Sequence, residues 1–130
     1  MIEQGIRAML LADSDVLALV KTRIYPGVLP QNPTYPCVTI WPITQDDNVT
    51  LRAIPDLKWS RLQVDSWAAT YAAMMALNEK VFTALANRTG TPTGYDVRSI
   101  VPLVGGRYVY EDSIDKHRRS RDFGIWWKTT

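Results

Sequence analysis

The chain has few of the residues on which catalytic and metal sites depend. It contains one cysteine, Cys37, and one histidine, His117, among 130 residues. A single cysteine excludes an intramolecular disulfide and suits a reducing compartment such as the cytoplasm. One cysteine and one histidine also cannot supply a Cys/His ligand set for zinc. These scarcities exclude a disulfide framework and a zinc-dependent fold.

The motifs of nucleophilic, calcium and phosphate sites are absent as well. His117 has no activating partner in a recognisable motif, so an exposed polar side chain is the favoured interpretation. Cys37 begins a hydrophobic strand, where cysteine usually acts as a small buried apolar side chain. The acidic pairs lack the glycine and glutamate of a calcium loop, and no glycine-rich segment has the features of a phosphate loop. We therefore predict no enzyme, no cofactor, no metal and no small-molecule substrate.

Long apolar runs are missing too. The first residues include Glu3 and have no basic segment before an apolar core, so they do not resemble a signal peptide. The longest uncharged apolar stretch is far too short to cross a bilayer. We expect no membrane association.

Net charge is small, at +2, which argues against a nucleic-acid binder that relies on bulk electrostatics. The distribution is uneven, because residues 66–130 hold nine basic and six acidic side chains. The hydrophobic fraction of 46%, with five Trp and six Tyr, is too high for a disordered chain. We predict one folded domain over residues 1–130.

Three segments have the spacing of helices. Ile2, Ile6 and Met9 recur at helical intervals, and Asp13 and Ser14 are good N-cap residues for a second helix. The longest helix has an apolar stripe of Met74, Leu77, Val81 and Leu85, widened by Tyr71, Met75 and Phe82. The predicted helices cover residues 2–12, 15–20 and 69–87.

Five segments have the composition of strands. Residues 21–36 hold four prolines and should form an extended, turn-rich connector, and residues 45–55 should form a polar loop or arm. Pro42 and Pro102 indicate sheet edges. Gly105 and Gly106 predict a two-residue hairpin between the third and fourth strands. The predicted strands cover residues 37–43, 58–67, 97–104, 107–110 and 118–128.

This order of elements predicts an α+β fold. We expect a mostly antiparallel sheet of about five strands, with one long and one or two short helices packed on one face. Strand periodicity puts Leu62 and Val64 on one face of the second strand, with Trp59 and Arg61 on the other.

The clearest candidate for a functional feature is the basic run 116–121 that leads into the last strand. Alternation puts Arg119, Arg121 and Trp127 on one face and Arg118 on the other. Aromatic residues and arginine are enriched at interface cores, which favours contact with an acidic partner surface or a neighbouring subunit. The candidate partner interface comprises Asp46, Asp47, Trp59, Arg61, Arg118, Arg119, Arg121 and Trp127.

Simpler interpretations stay open. The basic run is also compatible with a solvated strand end balanced by nearby acidic residues. The tryptophans on the polar face have a second explanation, which is packing under the proline-rich connector or the long loop. Contact with nucleic acid is a further alternative, although the run lacks interleaved aromatic residues for base stacking.

The sequence resembles the tail completion, or tail-to-head joining, proteins of long-tailed bacteriophages and prophages. The similarity extends in order over almost the whole chain, with no single diagnostic motif. The segments that carry it are residues 10–13, 23–27, 29–31, 36–40, 63–68, 70–71, 110–112 and 119–127.

This resemblance implies an α+β virion structural protein without enzymatic activity. It further implies a ring oligomer, a hexamer, at the head-tail joint between the head connector and the tail tube. Assembly would take place in the host cytoplasm, and direct DNA contact would be compatible with this role but not required. A tail terminator that caps the tube and sets its length is the alternative, followed by a small nucleic-acid-binding domain.

Overall fold

The computed structural model describes residues 2–46, 56–104 and 106–130. Three helices and six strands follow one another in a helix, helix, strand, strand, strand, helix, strand, strand, strand order. The elements are α1 (Ile2–Leu11), α2 (Ser14–Val20), β1 (Ile24–Pro26), β2 (Cys37–Asp46), β3 (Lys58–Ala68), α3 (Tyr71–Leu85), β4 (Tyr95–Pro102), β5 (Arg107–Glu111) and β6 (Lys116–Thr129).

The six strands form one mixed sheet in the order β1-β2-β3-β6-β4, and β5 also pairs with β6. All pairs are antiparallel except β1 with β2. The helices lie on one face, where their apolar side chains meet those of the strands in a single core. The predicted α+β class, with a mostly antiparallel sheet and helices packed on it, is therefore confirmed.

The additional strand, β1, lies inside the proline-rich connector. Ile24, Tyr25 and Pro26 pair in parallel with Val38 to Ile40 at the sheet edge. Pro26 is tolerated because an edge strand does not need every N–H for the ladder. The connector thus contributes a short edge strand, and prolines limit it to three residues.

The helix boundaries have clear physical causes. At α2, the Asp13 side chain accepts hydrogen bonds from the backbone N–H groups of Asp15 and Val16, both at 3.0 Å. At α3, Thr70 Oγ1 accepts from the N–H of Ala73 at 3.2 Å. The predicted stripe of α3 is buried at Met74, Leu77, Val81 and Leu85, which confirms the helical periodicity.

The alternation predicted for the central strands is also confirmed. In β3, Leu62 and Val64 are buried in the core, and β6 pairs with them in register through Phe123 and Arg121. We call this side of the sheet the covered face, because the helices pack on it. The opposite side, which we call the open face, carries Trp59 and Arg61.

The hairpin predicted at Gly105-Gly106 is wrong. β4 and β5 do not pair with each other; both pair with β6, β4 along its second half and β5 along its first. β6 is 14 residues long and offers one edge to both strands in succession. A Cβ atom at Gly106 would lie 2.8 Å from the Ser120 carbonyl oxygen, so glycine here permits close approach to β6.

The hairpins in the described sheet are elsewhere. β5 turns directly into β6 through residues 112–115, and His117 belongs to β6. Most of the polar arm predicted at residues 45–55, including Asp47, lies outside the described residues. No helix in the described part of the chain is long and apolar enough to span a membrane.

Candidate partner interface

The open face of the sheet carries a network of polar and aromatic side chains. At its centre, Asp65 is fully buried although no helix covers it. Its carboxylate accepts hydrogen bonds from Gln63 Nε2 at 3.0 and 3.1 Å and from an Arg118 Nη at 3.3 Å. Charge-assisted bonds of this kind offset the cost of removing the carboxylate from water.

Arg118 is held by partners within its own chain. Besides Asp65, it forms an ion pair with Glu111 at 2.9 Å, and its guanidinium lies 5.3 Å from the ring centre of Trp67. Trp67 in turn donates its indole N–H to Thr39 Oγ1 at 3.0 Å. This first arginine of the basic run therefore helps to close the open face.

Trp59 and Arg61 lie next to each other along the same face. Arg61 donates to one carboxylate oxygen of Asp122 through Nε at 3.0 Å and an Nη at 2.7 Å. Trp59 lies against Gly124, where a Cβ atom would come within 3.2 Å of the indole nitrogen. Gly124 thus leaves room for the indole, and the partly exposed Trp59 stays on the open face as predicted.

Arg119 and Arg121 point to the other side of the sheet. Both lie on the covered face beside α3, where the guanidinium of Arg121 stacks on Phe82 with 4.4 Å to the ring centre. Burial lowers the pKa of Arg121 from its ordinary value, and the neighbouring charge of Arg119 lowers it further. The structure therefore divides the basic run between two surfaces.

Trp127, predicted as an interface residue, is not at a surface. Its side chain is 1% exposed and belongs to the core. The indole N–H donates to Ser60 Oγ at 2.9 Å, which satisfies the only polar atom of the ring. Because Trp127 faces the helices, it is removed from the candidate interface.

The outer edge of β2 is a candidate surface that the sequence-based set included only through Asp46. β1 covers only residues 38–40 on the outer side of β2, and residues 41–46 have no described strand on that side. Trp41 and Ile43 are exposed along this edge, at 37% and 48%. Asp46 ends the strand opposite Trp59. Pro42, which predicted an edge at this point, was the signal in the sequence.

A second missed feature surrounds His117. Tyr108 Oη and His117 Nδ1 are 2.7 Å apart, and the rings of Tyr71 and Tyr110 lie 6.4 and 5.0 Å from the imidazole. These three tyrosines are 40 to 53% exposed. His117 is therefore half-buried in an aromatic cluster, in contrast to the exposed side chain predicted. The cluster brings together α3, β5 and β6, so no local sequence signal reveals it.

The described residues contain little that suggests a catalytic or metal site. Cys37 is fully buried, and burial raises the pKa of its thiol to about 12, while Arg23 acts in the opposite direction. A thiol with this pKa is protonated and unreactive at neutral pH. No group of three or more potential metal ligands occurs in the described ranges.

Fold and surfaces together define an α+β domain with an unpaired strand edge, exposed aromatic rings and a divided set of arginines. These are features of proteins that bind other macromolecules. The chain belongs to the family described as "Tail completion protein gp17", whose model matches residues 4–126. It is accordingly a structural protein of bacteriophage tails.

The fold is shared with a solved structure. A chain from "Virion of native gene transfer agent (GTA) particle" superposes with a TM-score of 0.74 and 16% sequence identity, and the match covers 98% of this chain and 94% of that one. At this identity the likeness concerns the fold alone. No curated protein shows significant sequence similarity to the chain.

Proposed function

We propose that the protein forms a ring of six subunits at the head-tail joint. In this position it completes the tail and couples it to the head connector. Family membership over residues 4–126 is the observation that carries the proposal. The fold shared with a chain of a virion particle is a further support.

The shape of the sheet suits closure by rotation. Among the strand edges without a partner on their outer side in the described structure are β2 from Trp41 onward and β5, which pairs only with β6. Two different edges on one subunit permit a head-to-tail contact, which closes into a ring when the rotation between subunits is right. In the proposed ring, the β2 edge of each subunit meets the β5 edge of the next.

Exposed apolar side chains strengthen this assignment of edges. An unpaired strand with Trp41 and Ile43 would be an aggregation hazard unless another surface covered it. At the β5 end, Tyr108 and Tyr110 are exposed and offer aromatic contact area. Pairing between the two edges would satisfy the open N–H and C=O groups and bury these side chains together.

Electron microscopy of a phage or prophage with a stop codon in this gene tests the joining role, with the complemented strain as control. We expect filled heads beside detached tails of normal length. Overlong tail tubes would indicate that the protein terminates the tail and does not join it to the head. Intact virions would contradict both assembly roles and favour the nucleic-acid-binding alternative.

A charge on the β2 edge tests the ring contact. We expect Ile43→Lys to abolish the hexamer, measured by native mass spectrometry of the assembled protein, because a lysine in the contact would be desolvated without a partner. Leu17→Lys on α2, where the native side chain is 40% exposed, is the matched control and should leave the ring intact. A hexamer that persists in Ile43→Lys would exclude the β2 edge from the contact.

A further inference from the structure

A cleft lies between α3 and β6 on the covered face. It has a volume of about 390 Å³, and Arg119 and Arg121 line one wall. Asn78, Phe82 and Thr83 from α3 line the other. The cleft is thus formed by a strand and a helix, which hold the two guanidinium groups beside each other.

The two arginines differ from Arg118 in having no acidic partner. Arg118 pairs with Asp65 and Glu111, whereas no ion pair among the described residues includes Arg119 or Arg121. Arg119 Nε, like Arg118 Nε, is buried without a hydrogen-bond acceptor in this part of the chain. Buried donors without partners are costly, and two adjacent like charges add repulsion. An anion in the cleft would relieve both costs.

Asn78 adds a third polar group. Its side chain is 4% exposed, and Oδ1 is buried without a donor in the described structure. A side-chain amide offers two N–H donors as well as an acceptor, and rotation by 180° about its last bond exchanges them. With the guanidinium groups opposite, the cleft can present donors to an anion from two sides.

We propose that this cleft binds a carboxylate side chain from an acidic segment of a partner protein. Guanidinium groups bind carboxylates in bidentate geometry, and the ring of Phe82 and the thioether of Met75 suit the methylene groups of a glutamate. This inference rests on the proposed assembly role only for the source of the segment, which is a neighbouring protein in the head-tail joint.

The lining favours a carboxylate over a nucleic-acid backbone. Glu79 also lines the cleft, and its negative charge would repel a chain of phosphates more strongly than a single carboxylate. Nucleic-acid backbones are bound by extended basic grooves with stacking aromatic rings. The present cleft is short, with two cations, and its volume suits one or two side chains.

NMR titration of the purified protein with a capped tetraglutamate peptide tests the proposal. We expect saturable shifts of the Arg119 and Arg121 Nε–H signals and of the Asn78 amide signals. Arg118 should shift little, because it is already paired. A capped tetraglutamine peptide should cause no shift, since it has the same backbone without the charges.

Two variants distinguish binding in the cleft from nonspecific attraction between the peptide and basic side chains elsewhere. The double variant Arg119→Gln/Arg121→Gln should weaken tetraglutamate binding at least about tenfold, the loss expected from about 1.4 kcal/mol. Arg98→Gln, which removes one charge from an exposed position outside the cleft, should leave binding unchanged. If the double variant does not fold, the side-chain shifts of the unmodified protein decide the question.

Three results would overturn the proposal: no shift at Arg119 and Arg121, equal binding by the folded double variant, or tighter binding of a DNA tetranucleotide than of the peptide. The phage experiment has an independent readout. Detached tails together with an unresponsive cleft would retain the joining role and reject the cleft. Peptide binding together with intact virions would reject the joining role instead.

Discussion

The covered and open faces of the sheet are formed by alternate residues of the same strands, yet they are stabilised by different interactions. On the covered face, Leu62, Phe123 and Ile125 are buried in an apolar core beneath the helices. On the open face, Asp65 and Asp122 bind arginines from neighbouring positions. Two-residue periodicity therefore gives one sheet an apolar side and a polar side.

This difference shows how a sheet face without helices can still bury a charge. Asp65 accepts hydrogen bonds from Gln63 and Arg118. Thr39 lies opposite it on β2 and accepts the indole N–H of Trp67. These contacts form between side chains that lie next to each other on neighbouring strands. The charged side chains at the centre of the open face are consequently paired within the subunit. The β2 edge and the arginine cleft, in contrast, have polar groups that are available for a partner in the proposed assembly.

The largest expected effect is on the covered face. Phe123→Ala should lower the free energy of unfolding by about 3 to 5 kcal/mol, because it removes a fully buried ring and leaves a cavity. Urea unfolding measures the change. Val101→Ala on the open side of β4 is the control and should cost less than about 0.5 kcal/mol. Equal losses would mean that the two faces contribute similarly to stability.

A smaller loss is expected at the centre of the open face. Asp65→Ala should cost about 2 to 3 kcal/mol, since in a nearly buried setting it removes the carboxylate that accepts from Gln63 and one of the two described carboxylates that pair with Arg118. Asp122→Ala should cost at most about 1 kcal/mol, because its partner Arg61 can turn to solvent. Chemical denaturation of both variants checks the order, and a reversed order would contradict the central role of Asp65.

A further effect, smaller than that of Asp65→Ala, appears only at alkaline pH. Burial raises the pKa of the Cys37 thiol from 9.0 to about 12, so the unfolded chain loses this proton at lower pH than the folded protein. The free energy of unfolding should therefore fall as pH rises from about 9 to 12. At pH 10 the thiol should account for a loss of about 1.4 kcal/mol relative to pH 7.

Comparison with Cys37→Ala isolates this contribution from other alkaline titrations. Unfolding of the two proteins at pH 7 and pH 10 gives the difference directly. The variant should lose less stability over this interval. An identical alkaline loss in both proteins would show that the thiol does not titrate differently on folding.

Local patterns in the sequence were reliable where one periodicity dominated. The cap at Asp13 and the stripe of α3 agree with the structure because backbone capping and helical spacing are properties of neighbouring residues. The Gly105-Gly106 pattern failed because the hairpin preference is local, whereas the long edge of β6 gives β4 and β5 a partner each. A turn pattern in four or so neighbouring residues carries no information about a competing strand edge elsewhere in the chain.

The candidate site was harder to predict for the same reason. Alternation correctly separated Arg118 from Arg119 and Arg121, but it could not show that Asp65 lies beside Arg118 or that α3 leaves a cleft beside the other two. Trp127 resembled an interface residue in the sequence, and only its position beneath the helices showed that it belongs to the core.

The sequence by itself determined the fold class, the helix positions, the alternation of the strands and the likeness to tail completion proteins. Each of these depends on local spacing, capping or the order of short segments along the chain. Tertiary structure alone decided which arginines found carboxylate partners and which tryptophan was buried. These outcomes depend on contacts between residues far apart in sequence, such as Asp65 with Arg118 and Ser60 with Trp127.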